Sequence, residues 1–339
     1  MTNPPRPAPF HVGQGGPTNR TARPRASFSA GRGEVVFDFP GVRIGTAEYA
    51  EGPTGATVLA FERALPTAVD RRGGAIGATG CYPENHAICL AGGSVYGLAA
   101  AAGVAEALLE EDGAKTAFDQ LKLVSGAIIY DFSVRRNAVF PDAALGAAAL
   151  AAAREGRASF GRVGGGIGAS VGKVDPVRGE FAGQGVAFEQ VGPVKVLVVS
   201  VVNAVGVVVG RDGRVVRGNC DRATGRRCLP VEDWRDGIGR LEPVRVSGGN
   251  TTVTAVVTNI ALAPPDLAQF AAQVHSSMHR AIQPFHTALD GDILFAVTTE
   301  DVTWSACLGS GFEDQAAVSV ALGALAGEVA WDAVLAAVD

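Results

Sequence analysis

Apolar and polar positions along the chain fall into short β-branched runs, broken by glycine- and proline-rich stretches and by several alanine-rich segments. Runs bounded by turn residues predict strands over Val42–Ala50, Thr57–Phe61, Leu123–Asp131, Val194–Val202, Val205–Val209, Thr251–Ile260 and Asp292–Thr298. Helices are expected to begin near Cys89, Pro141, Pro265 and Ala316. In the third of these a proline stands in the first turn, and Leu267, Phe270, Val274 and Met278 fall on one stripe. Strand and helix do not alternate cleanly through the whole chain, which argues against a TIM barrel or a simple Rossmann domain and leaves the architecture open within the α/β class. Residues 1–33 hold five arginines, no acid and many Pro, Gly, Ser and Thr residues. They are read as a disordered arm ahead of a single α/β unit spanning 34–339. The stretch from Gly218 to Gly249, rich in Gly, Pro, Arg and Asp without a long periodic segment, reads as a surface connection.

Composition narrows the function classes. With 339 residues the chain can bury a full core, and a net charge of −5 implies no general attraction to nucleic acid or to anionic lipid. The arginines of the N-terminal segment lack the aromatic interleaving of a single-strand-binding tail. No uninterrupted apolar run reaches about 18 residues and the N-terminus lacks a signal-peptide core, so a cytoplasmic protein without a membrane partner is expected. Cys81, Cys89, Cys220, Cys228 and Cys307 form no CxxC pair and are read as reduced thiols.

Chemistry concentrates where Gly248-Gly249-Asn250-Thr251 runs into Thr252-Val253-Thr254-Ala255-Val256-Val257. A break between Asn250 and Thr251 would leave a threonine with a free α-amine on the first residue of a strand. That amine, with a reference pKa near neutrality, can take the proton of the hydroxyl beside it, so one residue supplies both nucleophile and base. Other motifs are weaker. The glycines of Gly166-Ile-Gly168 follow no convincing strand and precede no evident helix, and Gly172-Lys173 lacks both the Ser/Thr and the leading glycine of a phosphate loop. His275 and His279 have a zinc-compatible spacing without the HExxH glutamate. Ser94 breaks the G-x-S-x-G form of a hydrolase elbow. Neither a cofactor nor a metal is expected.

Several segments together resemble a known peptidase family. They are Phe39-Pro-Gly-Val-Arg-Ile-Gly45, Glu51-Gly-Pro-Thr-Gly-Ala-Thr57, Asn85-His-Ala-Ile-Cys-Leu-Ala-Gly-Gly93, Ile129-Tyr-Asp-Phe132, Gly172-Lys-Val-Asp175, Gly249-Asn-Thr-Thr252, Gln273-Val-His-Ser-Ser-Met-His-Arg280 and Gln283-Pro-Phe-His286. The family includes the L-aminopeptidase/D-amidase/esterases and β-peptidyl aminopeptidases, and within it the chain is similar to the nylon-oligomer (6-aminohexanoate-oligomer) endohydrolases. The resemblance implies a four-layer αββα sandwich of the N-terminal nucleophile type. It also implies self-cleavage between Asn250 and Thr251 into 1–250 and 251–339 pieces that stay associated, and a homotetramer of such heterodimers.

By the same resemblance Thr251 is the nucleophile, Lys173 supports it electrostatically, and the side-chain amide of Asn203 stabilises the substrate oxyanion. Tyr130 assists there or orients the substrate. Of Asp290 and Asp292, one would hold the Thr251 amine and the other orient its partner. The aminopeptidase branch carries a serine and a glutamate at these two acidic positions and a serine nucleophile, so the differences favour the oligomer-hydrolase branch. The implied substrate is a linear 6-aminohexanoate oligomer or comparable amide. An aminopeptidase acting on short α- or β-peptides is the alternative, with an ornithine acetyltransferase-like enzyme and a non-enzymatic scaffold further off.

Overall fold

The computed structural model describes residues 15–175, 177–240, 249–307 and 314–338. Its main elements, in chain order, are β1 (Val42–Tyr49), β2 (Thr54–Arg71), β3 (Glu84–Ala91), α1 (Ala99–Glu111), β4 (Val124–Ile128), α2 (Ala143–Ala151), β5 (Gln184–Val191), β6 (Val194–Asn203), α3 (Pro230–Arg240), β7 (Thr251–Ile260), α4 (Pro264–Ser277), β8 (Ile293–Val302) and α5 (Gln315–Ala336). The long β2 serves two sheets. Its first half pairs antiparallel with β1 and β3; after a register break between Ala60 and Leu65, Thr67–Arg71 pairs with β8. One sheet is thus β1-β2-β3-β4, and the other runs β5-β6-β7-β8 to the far end of β2. Within them β3/β4 and β7/β8 are parallel.

The period of two explains why the strands read as continuous apolar runs. On β6, Leu197, Val199 and Val201 face the other sheet, while Val196, Val198 and Val202 face helices, so both faces are dry. Between the sheets, Leu59, Ile88 and Leu90 meet Val253, Val257 and Phe295. Outside, α1 and α2 cover one sheet through Val104, Leu145 and Leu150. The stripe Leu267, Phe270, Val274 and Met278 of α4 covers the other, together with Leu322 and Val329 of α5. The result is the αββα sandwich.

Several expectations need correction. The segment around Cys89 is a strand: Ile88 and Leu90 face one way and Cys89 the other, and the helix begins only at Ala99, beyond Gly92-Gly93. The arm expected over 1–33 is ordered from residue 15, where the description begins. There the Asn19 amide donates to the Phe140 carbonyl and to Asp142, Ala26–Ser27 pairs with the end of β1, and Gly33–Val36 pairs with Arg157–Phe160. That polar segment obtains order by completing sheet edges rather than by burying a core of its own. Arg157–Phe160, passed over as a strand, is one. The connection from Gly218 to Gly249 carries α3, with Glu232 and Asp233 in its first turn; Gly248 and the residues just before it lie outside the described residues. Strand β5 was missed because its end, Glu189-Gln190-Val191, is solvent-facing. Finally, α5 has the length and apolar character of a membrane span, yet half of that stretch is buried here. It packs on β5 and β6, and its Glu328 and Asp332 pair with Arg211.

Candidate active site

Strands β6 and β7 run antiparallel with Asn203 opposite Thr251, so the polar end of one buried strand faces the first residue of the other. Thr251 is buried, and its hydroxyl donates to the Asn250 carbonyl oxygen at 2.5 Å. The same oxygen accepts the Gly291 N–H at 2.9 Å. Only glycine fits at 291, since a Cβ would stand 2.2 Å from the Ala75 carbonyl oxygen and 2.9 Å from the Thr251 hydroxyl. On the other side, Gly249 takes a φ of +82° and lies against the Tyr130 ring, where a Cβ would come within 2.5 Å of a ring carbon. The bond expected to break therefore sits between two points of backbone close approach.

Asn203 is fully buried and saturated. Its Oδ1 accepts from Lys173 Nζ at 2.9 Å and from the Ser170 N–H at 3.1 Å; its own carbonyl also accepts from Lys173, at 3.1 Å. Its Nδ2 donates to the carbonyls of Tyr130 (3.2 Å) and Gly249 (3.4 Å). Lys173, a site residue by the family resemblance, is 1% exposed. Burial drives its pKa down to about 7, partly opposed by the carboxylates of Asp290 and Asp131. A lysine so placed can give or take a proton near neutrality.

Both aspartates are fully buried. Asp290 bridges to Asn250 in the backbone, and its carboxylate accepts from Val205 N–H (3.2 Å), Thr287 N–H (3.0 Å) and the Thr287 hydroxyl (2.6 Å). Asp292 accepts the Thr252 N–H at 2.7 Å on one oxygen; the other takes the His286 N–H at 3.1 Å and lies 2.9 Å from His286 Nδ1. Desolvation first, and then the charge of Asp290, push Asp292 up to about 8, against the pull of the Thr252 and His286 amides and of His275.

The six side chains named from sequence thus gather around the Asn250–Thr251 junction. The Asn203 amide points at the Tyr130 and Gly249 carbonyls, and the donor on the Asn250 carbonyl is the Gly291 N–H. Asp292 holds the amide of Thr252, next to the nucleophile. Sequence reasoning missed Gly291, Val205 and Thr287. All three act through backbone N–H groups, Thr287 also through its hydroxyl, and a backbone N–H, which every residue but proline carries, leaves no mark in a sequence. His275 Nδ1 is 2.7 Å from Asp70, and the rings of His275 and His279 both pack edge-on against His286.

Comparison with known proteins places this geometry. The model of peptidase family S58 matches residues 34–338. The 6-aminohexanoate-oligomer endohydrolase of Paenarthrobacter ureafaciens is 53% identical over 334 residues, covering 98% of this chain and 94% of its own. Among solved structures, the L-aminopeptidase D-Ala-esterase/amidase of Ochrobactrum anthropi, described as a variant of the Ntn hydrolase fold, superposes with a TM-score of 0.63 at 17% identity, covering 95% of this chain and 90% of that one. The β-aminopeptidase of a Burkholderia species gives 0.61 at 20%, covering 94% and 90%. These two likenesses establish the shared fold; the family match and the 53% identity go further, and the chain belongs to peptidase family S58.

Proposed function

We propose that this protein is an N-terminal threonine amide hydrolase that cuts itself between Asn250 and Thr251 and then opens 6-aminohexanoate oligomers at internal amide bonds. The carrying observation is the Thr251 hydroxyl held at the Asn250 carbonyl, whose oxygen already has the Gly291 N–H as a donor. In the self-cleavage, the Thr251 oxygen bonds to the Asn250 carbonyl carbon and gives up its proton, with neutral Lys173 the nearby acceptor. The Gly291 N–H meets the oxyanion. The C–N bond then breaks, its nitrogen takes a proton to become the Thr251 amine, and water hydrolyses the ester to release the Asn250 carboxylate. Departure of Gly249 and Asn250 removes one acceptor of the Asn203 amide and leaves that N–H group for a substrate carbonyl. The same cycle on an external amide passes through a Thr251 acyl-enzyme and needs no cofactor. The substrate class is supported by the likeness to the Paenarthrobacter ureafaciens enzyme.

We further place the processed heterodimers in a homotetramer, supported by the resemblance and by the prevalence of closed symmetry. The five unpaired thiols, four of them buried, support a reducing, cytoplasmic setting. The deciding experiment compares wild type with Thr251→Ala by denaturing electrophoresis and N-terminal sequencing, then assays the processed enzyme. Wild type should yield a fragment beginning Thr251-Thr252-Val253, while Thr251→Ala stays whole. Processed enzyme should cut an end-blocked 6-aminohexanoate oligomer internally. Activity confined to substrates with a free N-terminal amine would select the aminopeptidase instead, and an active wild type of one uncut chain would overturn the mechanism.

A further inference from the structure

Behind Asp292 lies a group of ionisable side chains with no part in the chemistry so far. His286 is nearly buried, with only 8% of its side chain exposed, and it adopts a φ of +57°. That left-handed conformation is uncommon for residues other than glycine, and histidine, with asparagine and aspartate, is among the few that adopt it more readily. It lets one residue offer two groups to one oxygen, because both the backbone N–H (3.1 Å) and ring Nδ1 (2.9 Å) of His286 reach Asp292 Oδ2. The other oxygen of Asp292 holds the amide of Thr252, next to the nucleophile. Outward from His286, its ring packs edge-on against His275 with 4.3 Å between centroids. His275 Nδ1 sits 2.7 Å from Asp70, whose same oxygen is 2.6 Å from Arg72 at the partly exposed end of the series. Stacking on Phe285 at 3.9 Å fixes the His286 ring plane.

We propose that His286 is a positioning residue for Asp292, fixing the carboxyl that anchors the start of β7 and linking its protonation to the His275–Asp70 pair behind it. The inference rests on the proposed role of Thr251 only in so far as it concerns turnover; the link between His286 and Asp292 stands apart from any substrate. Asp70 faces the His286–Asp292 pair from the end of β2 and Arg72 from just past that end, His275 from α4 and His279 from the turn after α4. Asp290 faces it from the loop before β8, with Lys173 and Asp131 beyond Asp290. Desolvation, with help from His279 and Arg72, drives His286 down to about 4, so the ring is neutral at physiological pH and its Nδ1 can serve the carboxyl as donor or acceptor. The coupling onward to Asp70 is by ring contact and charge, not by a continuous chain of hydrogen bonds.

Two variants separate positioning from packing. His286→Asn suits the left-handed backbone and puts a neutral amide near the position of Nδ1. His286→Phe keeps the ring and its stacking but removes both nitrogens. In processed enzyme His286→Phe should lower kcat roughly tenfold or more with little change in KM. It should also shift the pH limb governed by Asp292 by about a unit, because the carboxyl loses its Nδ1 partner. His286→Asn should restore both to within about threefold of wild type. Equal losses in both variants with the limb unmoved, or no effect of His286→Phe, would overturn the proposal. A readout without substrate settles the case in which no turnover is measurable or His286→Phe does not fold: nitrogen-15 spectra of the five histidines in wild type and in Asp292→Asn. The His286 ring signals should step as Asp292 titrates near pH 8, and that step should vanish in Asp292→Asn. Identical His286 titration in the two proteins would sink the link.

Discussion

Lys173 and Asp292 are the two side chains at the site that burial drives furthest toward their neutral forms, and their effects on stability run in opposite directions with pH. Asp292 has a folded-state pKa of about 8, against roughly 3.9 in an unfolded chain. Between these values the folded state holds a proton that the unfolded state has released, so stability falls as pH rises through the window. Lys173, at about 7 when folded and roughly 10.4 unfolded, behaves oppositely: the unfolded state holds the extra proton, and stability rises from pH 7 toward 10. Thermal unfolding in a Thr251→Ala background, where every variant is one chain, checks both signs. Asp292→Asn should gain Tm relative to its parent as pH rises from 4 to 8, whereas the advantage of Lys173→Met should be greatest below pH 7 and fade toward pH 10. Parallel curves would contradict the burial-driven shifts. On the chemistry, Lys173→Met keeps the side-chain bulk and removes the base, so conversion of precursor should slow by about a hundredfold or more. A gel time course at the wild-type rate would exclude Lys173 as the proton acceptor.

At the scale of elements, the bounds of β7 were legible because Asn250 precedes the β-branched run and Ala-Leu-Ala-Pro ends it at Ile260. The helix α4 was legible for a similar reason: Pro264 and Pro265 open it, and the apolar stripe has helical spacing. Phe270 on that stripe is 3% exposed and sits in the core with Val274 and Leu322. Phe270→Ala in the uncut Thr251→Ala protein should cost about 3–5 kcal/mol by denaturant unfolding. A loss under about 1 kcal/mol would mean the stripe does not carry the packing of α4 on its sheet. Strand β3 was taken for a helix start because short apolar runs lack enough length to tell period two from period 3.6.

For the whole molecule, self-cleavage would divide chains but not layers. Strand β7, at the start of the 251–339 piece, pairs with β6 from Asn203↔Thr251 to Val196↔Thr258, and β8 of the same piece pairs with β2. The second sheet is thus woven from both pieces, and α4 and α5 cover it from the same side. Both fragments should co-elute in size exclusion and part only in denaturant; separation under native conditions would contradict the interleaving. Light scattering across micromolar concentrations should report four copies of the 339-residue equivalent, and a single copy would reject the tetramer.

Sequence by itself determined where β6, β7 and β8 run, the stripe of α4 and the Asn250–Thr251 junction. Each is written in local order: β-branched runs, a 3.6-residue period, a polar pair at a strand head. It also supplied the six site residues, five of them through family likeness, since nothing in the spacing of Tyr130, Lys173, Asn203, Asp290 and Asp292 makes them neighbours. Only the tertiary structure decided how they sit. It buried Lys173 beside Asn203, turned the Asn203 amide toward Tyr130 and Gly249, and put the Gly291 N–H on the Asn250 carbonyl. It also set His286 behind Asp292. These facts depend on desolvation and on backbone groups brought together from distant parts of the chain, and neither is encoded in the local order of residue types.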